Sequence, residues 1–153
     1  QLLVERVDAL LRRRVGLLLE RDLFDLELED AALDDIDLGR QRVDLDAQAR
    51  GGLVGITDED MKGLRSSSEP YAALLADRMR ANVNATWGLA ETGAAGPSGN
   101  RYGDPAGHTC VAIAGPNGET LTYRTGSDER YDNMLAFAIK ALETLERGID
   151  ADG

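Results

Sequence analysis

The chain has 153 residues, enough to bury one core, and sets 17 basic against 28 acidic side chains for a formal net charge of −11, which repels phosphate backbones and excludes general nucleic-acid binding. No apolar run approaches the about 18 residues of a membrane-spanning helix, no signal-peptide pattern opens the chain, and a single cysteine, Cys110, leaves no internal disulfide and fits a cytoplasmic protein. Hydrophobic residues make up 42% of the chain but aromatic ones only 5%, so the core must rest on Leu, Val, Ile and Ala.

Residues 1–52 use a narrow alphabet of Gln, Leu, Val, Glu, Arg, Asp, Ala, Gly, Phe and Ile, and the first hydroxyl is that of Thr57. Leu3, Val7, Leu10, Leu11, Val15 and Leu18 recur at helical spacing and predict an amphipathic helix from about Leu2 to Glu20. Leu23 to Leu28 alternates apolar with acidic residues and is open between strand and helix. The stretch from Asp30 to Asp46 is acid-rich. Paired carboxylates such as Asp34 and Asp35 suit a metal or acid–base work. Without calcium-loop spacing or a neighbouring histidine they read as a solvated loop, so no metal site is assigned and no cofactor is expected.

Thr57 and Asp60 stand at capping-box spacing and predict a short helix through about Leu64. Arg65 to Pro70 reads as a turn and then an N-cap at Ser68, with Pro70 in the first turn of a helix from about Glu69 to Asn82. Tyr71, Leu74, Leu75, Met79 and Val83 form its apolar face, with Asp77, Arg78 and Arg80 toward water. Ser66 or Ser67 with Lys62 makes a Ser–Lys arrangement on sequence proximity alone, and capping is the simpler reading of these serines.

Thr86 to Glu91 predicts a buried strand. Glycine then recurs at 93, 96, 99, 103 and 107, with Pro97 and Pro105 between, before the apolar run Cys110 to Ala114. The pattern is strand, glycine-rich loop, strand. Glycines permit positive φ and close approach to a ligand, and successive bare N–H groups form an anion-binding nest; a tight crossover with unusual dihedrals would use the same residues. On the ligand reading Gly93, Ala94 and Gly96 bind substrate. Glu91 and Thr92, at the carboxyl end of a strand, are then the candidate catalytic pair, although Glu91 equally suits a cap on the loop's own amides. Arg101 suits a bidentate phosphate contact or an exposed surface position. His108 suits a general base on pKa grounds or a residue bonding loop carbonyls at strand entry.

Gly115 to Gly118 is a hairpin turn into a strand over Glu119 to Thr125, with Leu121 and Tyr123 on one face. Gly126-Ser127-Asp128 introduces the last helix, Asp128 to about Arg147. Its core face is Met134, Leu135, Ala138, Ile139, Leu142 and Leu145, and Arg130 stands in its first turn. Asp150 to Gly153 reads as a frayed tail.

Thr92-Gly93-Ala94-Ala95-Gly96-Pro97, a polar insert, and Pro105-Ala106-Gly107 leading into a strand resemble the signature of the CinA C-terminal domain family, over roughly residues 47–147. The resemblance implies an α/β fold, a three-layer sandwich with a central mixed sheet covered by helices. It also implies nicotinamide-nucleotide amidase activity: hydrolysis of the amide of nicotinamide mononucleotide to the acid mononucleotide and ammonia. A small-molecule nucleotide ligand and a homodimer follow from the same resemblance. Loop N–H groups would hold substrate or an oxyanion, and Arg50, Arg101 and Arg130 would neutralise the phosphate. Arg130 falls where the family carries an R-x3-R pattern.

Residues 1–46 depart from the family, which divides the chain into an atypical N-terminal segment and a CinA-like domain at 47–150. The family's AES-x-TGG serine motif is missing, and Leu45 stands where the family has a tyrosine five positions before the basic residue, here Arg50. The alternative function is therefore a catalytically silent nucleotide-binding or oligomerisation domain. Translation of a GC-rich gene in a shifted frame would account for the narrow alphabet; if neither other frame of the coding DNA yields a serine motif, that account fails.

Overall fold

The structure, a computed structural model, describes residues 15–19 and 50–152. Its elements are β1 (Val15–Leu19), a π-helical turn (Arg50–Val54), α1 (Glu69–Asn82), β2 (Trp87–Ala94), β3 (His108–Ala114), β4 (Glu119–Arg124) and α2 (Arg130–Asp150). The strands lie in the order β1-β2-β3-β4. β1 runs parallel to β2, and the other pairs are antiparallel.

The sequence of β2 decides how the layers stack. Successive strand residues point to opposite faces, and Trp87-Gly88-Leu89-Ala90 alternates large with small. Trp87 and Leu89, with Val111 and Ile113 of β3, bury against Ala141 and Leu145 of α2. Ala90, Cys110 and Ala112 face the other way and pack on Tyr71, Ala72, Leu75 and Ala76 of α1, with Val54 and Ile56 beside them. Small residues let α1 come close: a Cβ at Gly88 would overlap the Ala76 carbonyl oxygen. The result is the expected three-layer α/β sandwich around a mixed sheet.

Several expectations need correction. Val15–Leu19 is a strand, not part of a helix; Val-Gly-Leu-Leu-Leu is a short apolar run that periodicity cannot assign, and it pairs with Trp87 to Glu91. The remainder of that predicted helix, and the acidic stretch, lie outside the described residues. The capping box at Thr57 forms in both directions, Thr57 N–H to Asp60 Oδ2 at 2.9 Å and Asp60 N–H to Thr57 Oγ1 at 3.2 Å. It caps only a run of turns, because Gly63 at φ +77° stops propagation after the costly first turn. Ser68 makes no side-chain cap; its hydroxyl donates instead to the Arg65 carbonyl at 2.6 Å. Val83 is exposed rather than on the core face of α1.

On α2 the buried stripe is Asn133, Phe137, Ala141, Thr144, Leu145 and Gly148, rotated from the expected face, and Leu135 is 52% exposed. The helix also runs on to Asp150, past its expected end. Finally, β2 continues through Thr92, Gly93 and Ala94, which find partners in Cys110, Thr109 and His108. Gly93 and Ala94 are thus strand residues, and the loop between β2 and β3 spans 95–107.

Candidate functional site

The carboxyl end of β2 carries the expected pair, but the pleat separates it. Glu91 and Thr92 are both buried, and as neighbours in a strand they face opposite layers. Glu91 Oε1 accepts a hydrogen bond from Thr109 Oγ1, on the same face as Leu89 and Val111. Thr92 Oγ1 accepts from the Ser67 N–H at 3.3 Å, on the α1 side. The two side chains therefore cannot act together on one atom.

The loop that follows is partly closed on itself. Asn100 organises its outer half: the Tyr102 and Asp104 N–H groups donate to its Oδ1 at 2.9 and 3.1 Å. Its own N–H donates to the Asp104 carbonyl at 3.0 Å, and Gly103 N–H donates to its carbonyl at 3.2 Å. Gly107 N–H returns to the Ala94 carbonyl at 2.8 Å. The inner half differs. Among the described residues, the N–H groups of Ala95, Gly96, Ser98 and Gly99 have no hydrogen-bond partner, and Pro97 contributes none. Gly96 has φ +120°, and a Cβ there would lie 2.7 Å from the Asp128 carbonyl oxygen, so glycine is required by both conformation and space.

The first turn of α2 holds this inner half in place. Arg130 donates to the Gly96 carbonyl at 3.3 Å, and Asn133 Nδ2 to the Ala95 carbonyl at 2.6 Å. The sequence reading gave Arg130 a ligand contact; in the structure its guanidinium braces the loop.

On the α1 face a polar cluster packs against the same loop. Arg65 bonds the Asp104 carboxylate at 2.6 and 3.2 Å, which holds that carboxyl below its ordinary pKa. His108 Nε2 lies 3.2 Å from the Ser67 carbonyl, 3.7 Å from Cys110 Sγ and 3.8 Å from Asp104 Oδ2. Its Nδ1 is buried without a partner among the described residues. Ser67, buried and at φ +56°, donates through Oγ to the Gly93 carbonyl at 3.3 Å. Burial pushes the Cys110 thiol pKa up, so it sits as a protonated, packed side chain.

The structure does not bring the three candidate phosphate arginines together. Arg50 lies in the turn whose Val54 carbonyl is held by Asn82 Nδ2 at 2.8 Å, at the C-terminal end of α1. The N-terminal end of α1 is the end near the loop, where Glu69 accepts from Thr122 at 2.6 Å. Arg101 is exposed, donates to the Tyr102 hydroxyl at 2.9 Å and stacks on its ring at 5.1 Å. Sequence reasoning missed Asn133 and Asp104, and it weighed Ser67 only as a capping serine or a partner of Lys62. Asn133 had a signal, a polar residue four positions before Phe137 on the apolar stripe. The Arg65–Asp104 pairing, 39 residues apart, had none.

A family model of the CinA C-terminal domain matches residues 42–149. A CinA-like protein of Desulfosudis oleivorans is 37% identical over 101 residues, 65% of this chain and 24% of that protein. A CinA-like protein of an Anaeromyxobacter species is 46% identical over 78 residues, 51% of this chain and 19% of that one. The chain thus spans about a quarter or less of the length of these relatives. Among solved structures, the competence/damage inducible protein CihA from Agrobacterium tumefaciens superposes with a TM-score of 0.57 at 28% identity, covering 66% of this chain and 62% of that one. The competence damage-inducible protein A from Klebsiella pneumoniae gives 0.61 at 21% identity over 67% and 64%, a likeness of fold alone. The chain belongs to the CinA C-terminal domain family.

Proposed function

We propose that the chain is a nicotinamide-nucleotide amidase-like domain that binds a pyridine mononucleotide through the inner half of the β2–β3 loop. The observation that carries this reading is the set of N–H groups of Ala95, Gly96, Ser98 and Gly99, without partners among the described residues, at the carboxyl end of a central strand. Such amides suit a phosphate or a developing oxyanion, and the Arg130 guanidinium beside Gly96 adds positive potential. The family resemblance supplies the substrate class and the amide hydrolysis.

A second reading, binding without turnover, is favoured by the commitment of nearby hydroxyls. Ser67 Oγ donates to the Gly93 carbonyl, which is no base, and the Thr109 hydroxyl that does meet a carboxylate, Glu91, is buried on the face of the sheet opposite Ser67. Calorimetry with nicotinamide mononucleotide, followed by an ammonia-release assay, separates the two. Heat with ammonia supports hydrolysis, heat without ammonia supports the silent binder, and no heat overturns both.

A further inference from the structure

Asn133 is completely buried, on a helix stripe with Phe137, Ala141, Thr144, Leu145 and Gly148. A polar amide there loses its hydration, which is tolerable only when its hydrogen bonds are replaced. They are. Nδ2 donates to the Ala95 carbonyl at 2.6 Å and to the Ser127 carbonyl at 3.0 Å, and Oδ1 accepts from Thr125 Oγ1. One turn earlier, Arg130 holds the Gly96 carbonyl. Two successive loop carbonyls are thus drawn toward α2. In a planar trans peptide the C=O and the following N–H point in opposite directions. With the Ala95 carbonyl turned to α2, the Gly96 N–H is turned away from it.

We infer that Asn133 is a positioning residue for the ligand site: by anchoring the Ala95 carbonyl it aims the Gly96 N–H at the phosphate of the mononucleotide. The inference rests on the reading given under Proposed function. A leucine at 133 is of similar bulk but would leave the Ala95 and Ser127 carbonyls unheld.

The test compares the full chain with Asn133→Leu, which keeps the bulk and removes both donors, and with Thr125→Val, which removes the hydroxyl that bonds Asn133 Oδ1 and accepts from the Ser127 N–H. Each is titrated calorimetrically with nicotinamide mononucleotide and with nicotinamide riboside, which lacks the phosphate. Asn133→Leu is expected to weaken the mononucleotide at least about tenfold and the riboside less than about twofold; Thr125→Val shows the same selectivity at about threefold, and serves alone if Asn133→Leu does not fold. A purely structural defect would weaken both ligands alike, and that result, or unchanged mononucleotide affinity, overturns the inference. Amide hydrogen exchange gives a ligand-free check. The Gly107 N–H, bonded to the Ala94 carbonyl beside the clamp, should lose about tenfold protection in either variant while Val111 in β3 is unchanged. Unchanged Gly107 protection overturns the positioning role whatever the wild type binds. A wild type that binds no mononucleotide overturns the proposed function instead.

Discussion

Gly93 shows how one residue type can be read in two ways. In the sequence it belongs to a glycine series that suggests a ligand loop; in the structure it lies in β2, where a Cβ would overlap the His108 carbonyl oxygen of the neighbouring strand. Gly93→Ala should therefore destabilise the fold by about 1–3 kcal/mol, since backbone is the obstacle and cannot swing aside. Urea denaturation at fixed pH checks this. Asp104 makes a prediction about acid. Its carboxyl is held below the ordinary range chiefly by the Arg65 hydrogen bonds. A depressed carboxylate contributes stability above its unfolded value of about 3.9, and that contribution is lost as pH falls through the lower folded value. Asp104→Asn should accordingly lower stability at neutral pH and flatten the loss below about pH 4, read from denaturation midpoints across pH. Neither effect was legible beforehand, because each depends on a partner distant in the chain.

At the scale of elements, α2 was found from its spacing, but its buried face only in part: Leu145 and Leu142 meet the core as expected, and the N-terminal half is rotated. Met134, Leu135, Ile139 and Leu142 are the strong hydrophobes, and weighting by hydrophobicity points the helix toward them. The buried stripe instead runs through Phe137, Ala141 and Gly148; at Gly148 the Trp87 and Ile113 side chains already fill the space where a Cβ would stand. Phe137→Ala should cost about 3–5 kcal/mol, whereas Leu135→Ala, at a site 52% exposed, should stay within about 0.5 kcal/mol of neutral. Thermal unfolding of the two variants side by side distinguishes this face from the expected one. By contrast, the bounds of α1 were legible to the residue. Pro70 marks its first turn and Asn82 its last, and both signals are local.

For the whole molecule, the layered α/β architecture was readable through the family resemblance carried by Thr92–Pro97 and Pro105–Gly107, while spacing supplied the strands and helices and Asn117-Gly118 the hairpin. The pairing of β1 was hidden, since its partner lies some seventy residues away. The net charge of −11 has a consequence for binding. It repels an anionic mononucleotide at long range, while loop amides attract it only on contact. Salt shortens the screening length from about 30 Å at 0.01 M to about 8 Å at 0.15 M, so added salt should remove repulsion first. Mononucleotide affinity is expected to rise or hold over that range, the reverse of a basic nucleotide-binding protein, and calorimetry at the two salt concentrations tests the sign. The turning apart of Glu91 and Thr92 reaches further. The sheet works as a partition, with the Glu91–Thr109 pair on one side and the Asp104–His108–Cys110 cluster on the other. Anyone grafting new chemistry onto this scaffold must choose a side, and must bring the complementary group from a helix or from the loop, as Asp104 does, rather than from the next residue of the strand.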